Sequence, residues 1–250
     1  MNRVRTIVYG VYSSLAALVI ATVGLLPALI FGERAARAEV RLWAQVSLLG
    51  LRAICGIRHV VEGRERLPKG GAIIASNHQS MWETIVFLTL TDKPTTVFKK
   101  ELLRVPIYGW WARLAGSIPV DRKAGARALR DISAKAARKI AEGCQVIVYP
   151  EGTRAPAGKT LPLQSGVAGI YLECGAPCTP AVHDSGRVWL QPGGLFALKI
   201  PGVVTLKILP PIEAGLERKA FQRRLEAALG APTSAVSDAE TETAARGTAA

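Results

Sequence analysis

GAIIASNHQSMWETIVFLTLT, residues 71–91, is the stretch from which the rest of the chain is read. Its opening run, 71–76, is a short apolar segment and predicts a β-strand; 79–91 predicts a helix. Working outward, the same alternation repeats. Short apolar runs at 95–99, 117–120, 145–149, 179–182, 187–190 and 203–209 predict further strands. Between them, 124–142 carries Leu129, Ile132, Ala136 and Ile140 at helical spacing, and Gly143 is placed to end that helix. Residues 213–229 predict a closing helix. Strands alternating with helices argue for an α/β fold, a mixed, largely parallel sheet flanked by helices. The 250 residues suffice for one such domain with a short appendage.

Composition narrows the partners. Apolar residues are 49% and charged ones 20%, which excludes wholesale disorder. The net charge of +13 points to anionic partners: nucleic acid, anionic lipid or phosphorylated substrates. Aromatic residues at 6% weaken a base-stacking reading, and a mean hydropathy of +0.23 favours a membrane setting. The four cysteines lie in apolar surroundings and read as reduced packing residues.

The membrane reading comes from the N-terminus. No charge occurs from Thr6 to Gly32, and a helix of that length spans about 40 Å, more than the hydrocarbon core of a bilayer. A cleaved signal peptide is the alternative, since Ala36-Arg37-Ala38 resembles a cleavage site. The apolar run is far longer than a signal's core, and charges separate it from those alanines, which favours a retained membrane-associated segment. Next, 39–57 predicts an amphipathic helix with a stripe at Arg37, Arg41, Gln45 and Arg52, suited either to a bilayer interface or to packing on the soluble core. The expected organisation is 1–58 as membrane-anchoring helices, 59–230 as the catalytic domain, and 231–250 as a small, polar, disordered tail.

Two segments carry chemistry. His78 falls between a strand and the start of a helix, at the functional end of an α/β sheet. The helix N-terminus disfavours an imidazolium, leaving a neutral imidazole able to accept a proton. Glu83, one turn into the helix, is placed to reach back to one ring nitrogen and fix the tautomer. With no Ser or Cys of its own in this dyad, the nucleophile would be a substrate alcohol. The competing reading is a capping box, Ser80-x-x-Glu83, with Asn77 as a cap. Second, Glu151-Gly152-Thr153-Arg154 follows a strand and offers a flexible glycine, a hydroxyl and a guanidinium, which suits a phosphate; a solvated surface turn is the alternative.

With Gly116-Ser117-Ile118-Pro119-Val120-Asp121-Arg122 between them and Cys178-Thr179-Pro180-Ala181-Val182 after them, these segments resemble the four ordered blocks of the glycerolipid acyltransferases. Lys99-Lys100-Glu101-Leu102 resembles the segment between the first two blocks. The resemblance runs from about Val60 to Pro211, and its nearest branch acylates 1-acylglycerol 3-phosphate. It implies transfer of a fatty acyl group from acyl-CoA or acyl-acyl carrier protein to the 2-hydroxyl of lysophosphatidate, giving phosphatidate in phospholipid biosynthesis. His78 would be the general base and Glu83 its orienting partner. Lys100, Arg122 and Arg154 would bind the acceptor's phosphate in a pocket shaped by Glu151, Gly152 and Thr153. Pro180 would belong to the acyl-donor side. No metal, cofactor or nucleic acid is implied; membrane lipids are expected partners, and a bacterial inner membrane with the catalytic domain facing the cytoplasm is the expected site. One departure stands out: the family usually has Asp where this chain has Glu83, whose extra methylene reaches about 1.5 Å further. A sibling enzyme using glycerol 3-phosphate or an ornithine lysolipid is the nearest alternative, and a non-catalytic basic membrane-binding module the more distant one.

Other patterns are weaker. Gly152-x5-Gly158-Lys159-Thr160 is one residue too long for a P-loop. Cys174, Cys178 and His183 lack a fourth ligand for zinc, and no G-x-S-x-G elbow exists. The aromatic segment 104–113 suits head groups or the core equally, and basic residues such as Arg127, Arg130, Lys135 and Arg138 suit an acidic carrier, an anionic membrane or plain solvent.

Overall fold

The computed structural model describes residues 1–105, 107–121 and 125–230, so the 231–250 tail and Arg122 lie outside the described residues. The expected alternation is realised. Helices α1 (Asn2–Phe31) and α2 (Glu33–Cys55) lead into β1 (Ile57–Glu62), β2 (Ala72–Ser76), α3 (Trp82–Leu90) and β3 (Pro94–Lys99). Then follow α4 (Tyr108–Leu114), β4 (Ile118–Val120), α5 (Gly125–Ala141), β5 (Gln145–Val148), α6 (Gly166–Cys174), β6 (Cys178–His183), β7 (Gly202–Ile208) and α7 (Arg218–Gly230). The seven strands lie in the order β1-β7-β6-β2-β5-β3-β4, all neighbours parallel except the antiparallel pair β6–β7.

At the centre, Ile74 of β2 pairs with Ile147 of β5 on one side and Thr179 of β6 on the other. Every residue of β2 and β5 is buried, which is why both read as unbroken apolar runs without alternation. Their side chains still alternate between two cores. Ile73, Ala75, Val146 and Val148 pack beneath α5, α6 and α7, while Ile74 and Ile147 pack with α2 and α3. The chain therefore leaves β2 across one face, through α3, and leaves β5 across the other, through α6. Where neighbouring parallel strands depart to opposite faces, a crevice opens beyond their carboxyl ends. Both chemically suggestive segments emerge there.

The N-terminal helices form a hairpin on the α3 face. Ser13 and Ser47 share a hydroxyl hydrogen bond of 2.9 Å, the Tyr12 hydroxyl donates to the Val46 carbonyl at 3.2 Å, and the Trp43 indole donates to the Ser13 carbonyl. The start of α1 docks on the 188–200 loop: Thr6 accepts the Lys199 backbone N–H, and Tyr9 packs edge-on against Trp189. Gly10 permits the close approach, because a Cβ there would sit 2.3 Å from a Phe196 ring carbon and push the ring aside. The opposite side of α1 exposes Val11, Leu15, Leu18, Val19, Val23 and Leu26, an apolar surface suited to lipid. By length and composition α1 could cross a membrane. On α2, Arg37 reaches Glu33, Thr95 and Cys144, and Arg41 binds the carbonyls of Thr91 and Asp92. These two members of the basic stripe pin the helix to the domain, while Leu42, Leu49 and Arg52 remain exposed.

Three readings change. The strand expected at 187–190 is absent: Ser185–Arg187 is a 3-10 turn and Trp189 makes one isolated bridge, to Lys199. Its apolar residues serve burial of a loop, with Trp189 fully enclosed and its indole N–H donating to the Gly194 carbonyl. The closing helix starts at Arg218, after Gly215 turns the chain at φ +89°. Strand β1 and helices α4 and α6 were not expected. β1 is an edge strand with mostly exposed residues, and α6 is apolar on nearly all sides, so neither shows a clean period.

Candidate active site

His78 lies in the loop after β2, and Glu83 in the first turn of α3. His78 Nδ1 is 2.7 Å from Glu83 Oε1. The same oxygen accepts the backbone N–H groups of Gln79 and Ser80, each at 2.8 Å, while the Trp82 N–H donates to Ser80 Oγ at 2.9 Å. The capping box and the dyad are thus one arrangement: a single carboxylate caps α3 and holds the imidazole. The carboxylate settles the tautomer, since Nδ1 must carry the proton it donates, leaving the Nε2 lone pair. Nε2 has no partner among the described residues, and the ring lines the cleft.

Glu83 is wholly buried. Burial on its own would raise its carboxyl; His183 nearby and the His78 hydrogen bond outweigh that and lower it to about 2. His183 is held below the usual imidazole range, chiefly by burial. Its Nε2 donates to the Asn77 carbonyl at 2.9 Å, and its Nδ1 accepts the Ser185 N–H at 3.3 Å.

The second segment clamps the first. The Glu151 carboxylate accepts the His78 backbone N–H at 2.9 Å, and the His78 carbonyl accepts the Ala155 N–H at 2.7 Å. Burial pushes the Glu151 carboxyl up, opposed by the His78 and Leu161 N–H groups. Arg154 Nε donates to the Ser80 carbonyl at 3.1 Å, which ties its guanidinium to the loop that carries His78; its Nη groups bond to nothing else among the described residues. Gly152 turns the loop at φ +70°, a conformation that favours glycine. The Tyr149 ring stacks on His78 with centroids 4.4 Å apart and planes 23° from parallel, and its buried hydroxyl has no partner among the described residues.

These groups line a cleft of about 1380 Å³. Its lining includes the polar or turn residues His78, Glu151, Gly152, Thr153, Arg154 and Lys99, the apolar Val97, Val120, Leu129, Ile132, Val167 and Ile170, and Ser13, Ser14 and Ala17 of α1. A cleft lined by both kinds of residue fits an amphiphile carrying an anionic head. Lys100 is not part of the lining: it is exposed and 3.7 Å from Asp121, and its neighbour Lys99 takes the cleft position. Pro180 is buried in β6, paired with Ala75, away from the cleft lining. The Cys174, Cys178 and His183 trio does not gather as a ligand set, because both His183 nitrogens are engaged. Glu33, Glu142 and Cys144 approach one another, but Lys139 and Arg37 stand among them as counterions, a poor fit to a metal ion. Sequence reading missed Tyr149, Asn77 as a clamp, and Ser185. Tyr149 borders the second segment; nothing in the local sequence marks Ser185.

The family model described as acyltransferase matches residues 58–184. A 1-acyl-sn-glycerol-3-phosphate acyltransferase from Pseudomonas aeruginosa is 32% identical over 215 residues, covering 86% of this chain and 82% of that protein. One of the same name from Cocos nucifera is 29% identical over 173 residues, and the chain spans 55% of its length. Among solved structures, the crystal structure of the 1-acyl-sn-glycerophosphate (LPA) acyltransferase PlsC from Thermotoga maritima superposes with a TM-score of 0.75 at 25% identity, covering 92% of this chain and 95% of that one.

Proposed function

This chain belongs to the acyltransferase family, and from that membership and the cleft geometry we propose that it moves a fatty acyl group from an acyl thioester to the 2-hydroxyl of 1-acylglycerol 3-phosphate, giving phosphatidate. The observation that carries the reading is His78 Nδ1 held 2.7 Å from Glu83 while Nε2 faces the cleft without a partner.

In this reading Nε2 takes the proton of the acceptor's hydroxyl as its oxygen attacks the thioester carbonyl. Glu83 stabilises the imidazolium so formed. The tetrahedral intermediate collapses with cleavage of the C–S bond, and the imidazolium returns its proton to the departing sulfur. The acceptor's phosphate is the handle that orients its hydroxyl: Arg154 offers its Nη groups, the Gly152–Thr153 turn shapes the pocket, and Arg122 and Lys100 are the further cations we assign to the phosphate by the family resemblance. Glu151 contributes by holding the His78 backbone. Orientation of two bound substrates contributes more than the base itself.

The chain is membrane-associated, and 1–58 acts as its anchor with 59–230 as the catalytic domain. Because α1 forms one side of the cleft, a lipid acceptor enters next to the apolar surface of that helix. We place the enzyme on the cytoplasmic face of a bacterial inner membrane, with acyl-CoA or acyl-acyl carrier protein as donor. The test is product analysis of purified protein given mixed acyl-CoA and a panel of lysolipids with and without phosphate. Phosphatidate as the main product, lost in His78→Ala, is expected. Preferred acylation of glycerol 3-phosphate or of a phosphate-free lysolipid would refute the acceptor assignment, and full transfer by folded His78→Ala would refute the base.

A further inference from the structure

The second oxygen of Glu83 is held by groups that the dyad alone does not require. Oε2 lies 2.9 Å from Ser80 Oγ and 3.0 Å from Ser185 Oγ, and those hydroxyls lie 2.7 Å from each other. Ser80, Ser185 and Glu83 are all fully buried. Ser80 belongs to the local capping turn. Ser185 does not: it opens the 3-10 turn just after β6, 102 residues along the chain from Glu83.

That turn is fastened to the catalytic loop at several points. The Asn77 side chain donates to the His183 carbonyl at 2.9 Å and accepts the His183 N–H at 3.0 Å. His183 Nε2 donates to the Asn77 carbonyl, and the Gly186 N–H donates to Gln79 Oε1 at 3.0 Å. Ser185 is therefore delivered to the carboxylate by a stiff connection between two neighbouring strand ends, β2 and β6. Oε1 is oriented by three N–H donors, and Oε2 depends on the two hydroxyls. A buried carboxylate oxygen deprived of donors swings toward whatever donor remains.

We propose that Ser185 is a positioning residue for the reaction: its hydroxyl anchors the far oxygen of the longer Glu83 side chain and so keeps the near oxygen on His78 Nδ1. This rests on the reading of His78 and Glu83 as the working pair. The catalytic carboxylate then depends on β6 as well as on its own helix. The other titratable or charged groups around the pair are His183, Glu151, Tyr149 and Arg154.

The experiment is steady-state kinetics of full-length Ser185→Ala and Ser185→Thr in detergent, with the same Ser185→Ala change also made in a Glu83→Gln background. Ser185→Ala should lower kcat by about 10- to 100-fold, the cost of a loosened dyad, with the acceptor KM unchanged. Ser185→Thr, which retains the hydroxyl, should recover most of kcat. In Glu83→Gln, adding Ser185→Ala should cost less kcat than it does in wild type, because the charge that Ser185 holds in place is already gone. A Ser185→Ala enzyme with unaltered kcat overturns the proposal, as does an equal loss in both backgrounds. If Ser185→Ala does not fold, Ser185→Cys, a weak donor of similar size, takes its place with the same outcomes. Full activity in His78→Ala or Glu83→Gln would instead remove the dyad on which the proposal rests, a result distinct from failure of Ser185 alone.

Discussion

Replacing Glu83 by Gln tests the proposed chemistry at one atom pair. Oε1 accepts three N–H donors, from His78 Nδ1 and from the Gln79 and Ser80 backbones. Only the carbonyl oxygen of a glutamine fits that position, so the amide nitrogen must take the Oε2 place. There it faces the Ser80 and Ser185 hydroxyls, which can turn to accept. The substitution thus keeps the side-chain geometry and the His78 tautomer and removes only the charge. A unit charge about 4 Å from the imidazolium centre stabilises it by about 4 kcal/mol at an effective dielectric of about 20. Losing that from the transition state lowers kcat by about 10³-fold, with acceptor and donor KM nearly unchanged. Initial rates of phosphatidate formation by detergent-solubilised enzyme would measure it. A kcat within tenfold of wild type, or a loss confined to KM, would refute the assignment of Glu83 as the group that stabilises the imidazolium.

Three further outcomes follow from the same geometry. Tyr149→Phe keeps the 4.4 Å stack on His78 and deletes a buried hydroxyl that has no partner among the described residues, so kcat should stay within about twofold and chemical-denaturation stability should rise by about 1 kcal/mol; a large kcat loss would show that the hydroxyl touches substrate. Arg154→Ala should raise the acceptor KM more than the donor KM, and the reverse ratio would move Arg154 to the donor side. Acid should destabilise the fold in two windows, read from urea midpoints across pH. Burial holds His183 below 6.5, so below that pH the unfolded chain binds a proton that the folded one resists, and stability falls by up to about 1.4 kcal/mol per pH unit. Glu83, lowered from 4.5 to about 2, loses its contribution only as pH drops through that lower range; His183→Gln should flatten the first window, and a wild-type midpoint constant from pH 7 to 5 would contradict the argument.

Much of the fold was legible because it is written in local periods. The central strands announce themselves as apolar runs, and α5 shows one buried stripe along an otherwise charged helix. Segments without a period were misread or passed over: the edge strand β1, the uniformly apolar α6, and the 187–190 run, whose Val188 and Trp189 bury a loop rather than extend the sheet. In the cleft, neighbouring positions were easily confused. Lys99 and Lys100 are equivalent as sequence, but at the end of β3 only Lys99 lines the cleft, while Lys100 meets Asp121.

Sequence alone determined that a histidine and a carboxylate five residues apart sit at a strand-to-helix junction, because hydrogen-bonded local structure depends on near neighbours and its spacing survives in the linear order. It also determined the apolar first helix. Only the tertiary structure decided that Glu151 grips the backbone of His78, that Tyr149 lies flat against its ring, and that Ser185 reaches Glu83. Those contacts join the ends of β2, β5 and β6, strands far apart along the chain. They become neighbours through sheet order, which is selected by burial of both faces of the sheet at once and leaves no mark at any single residue.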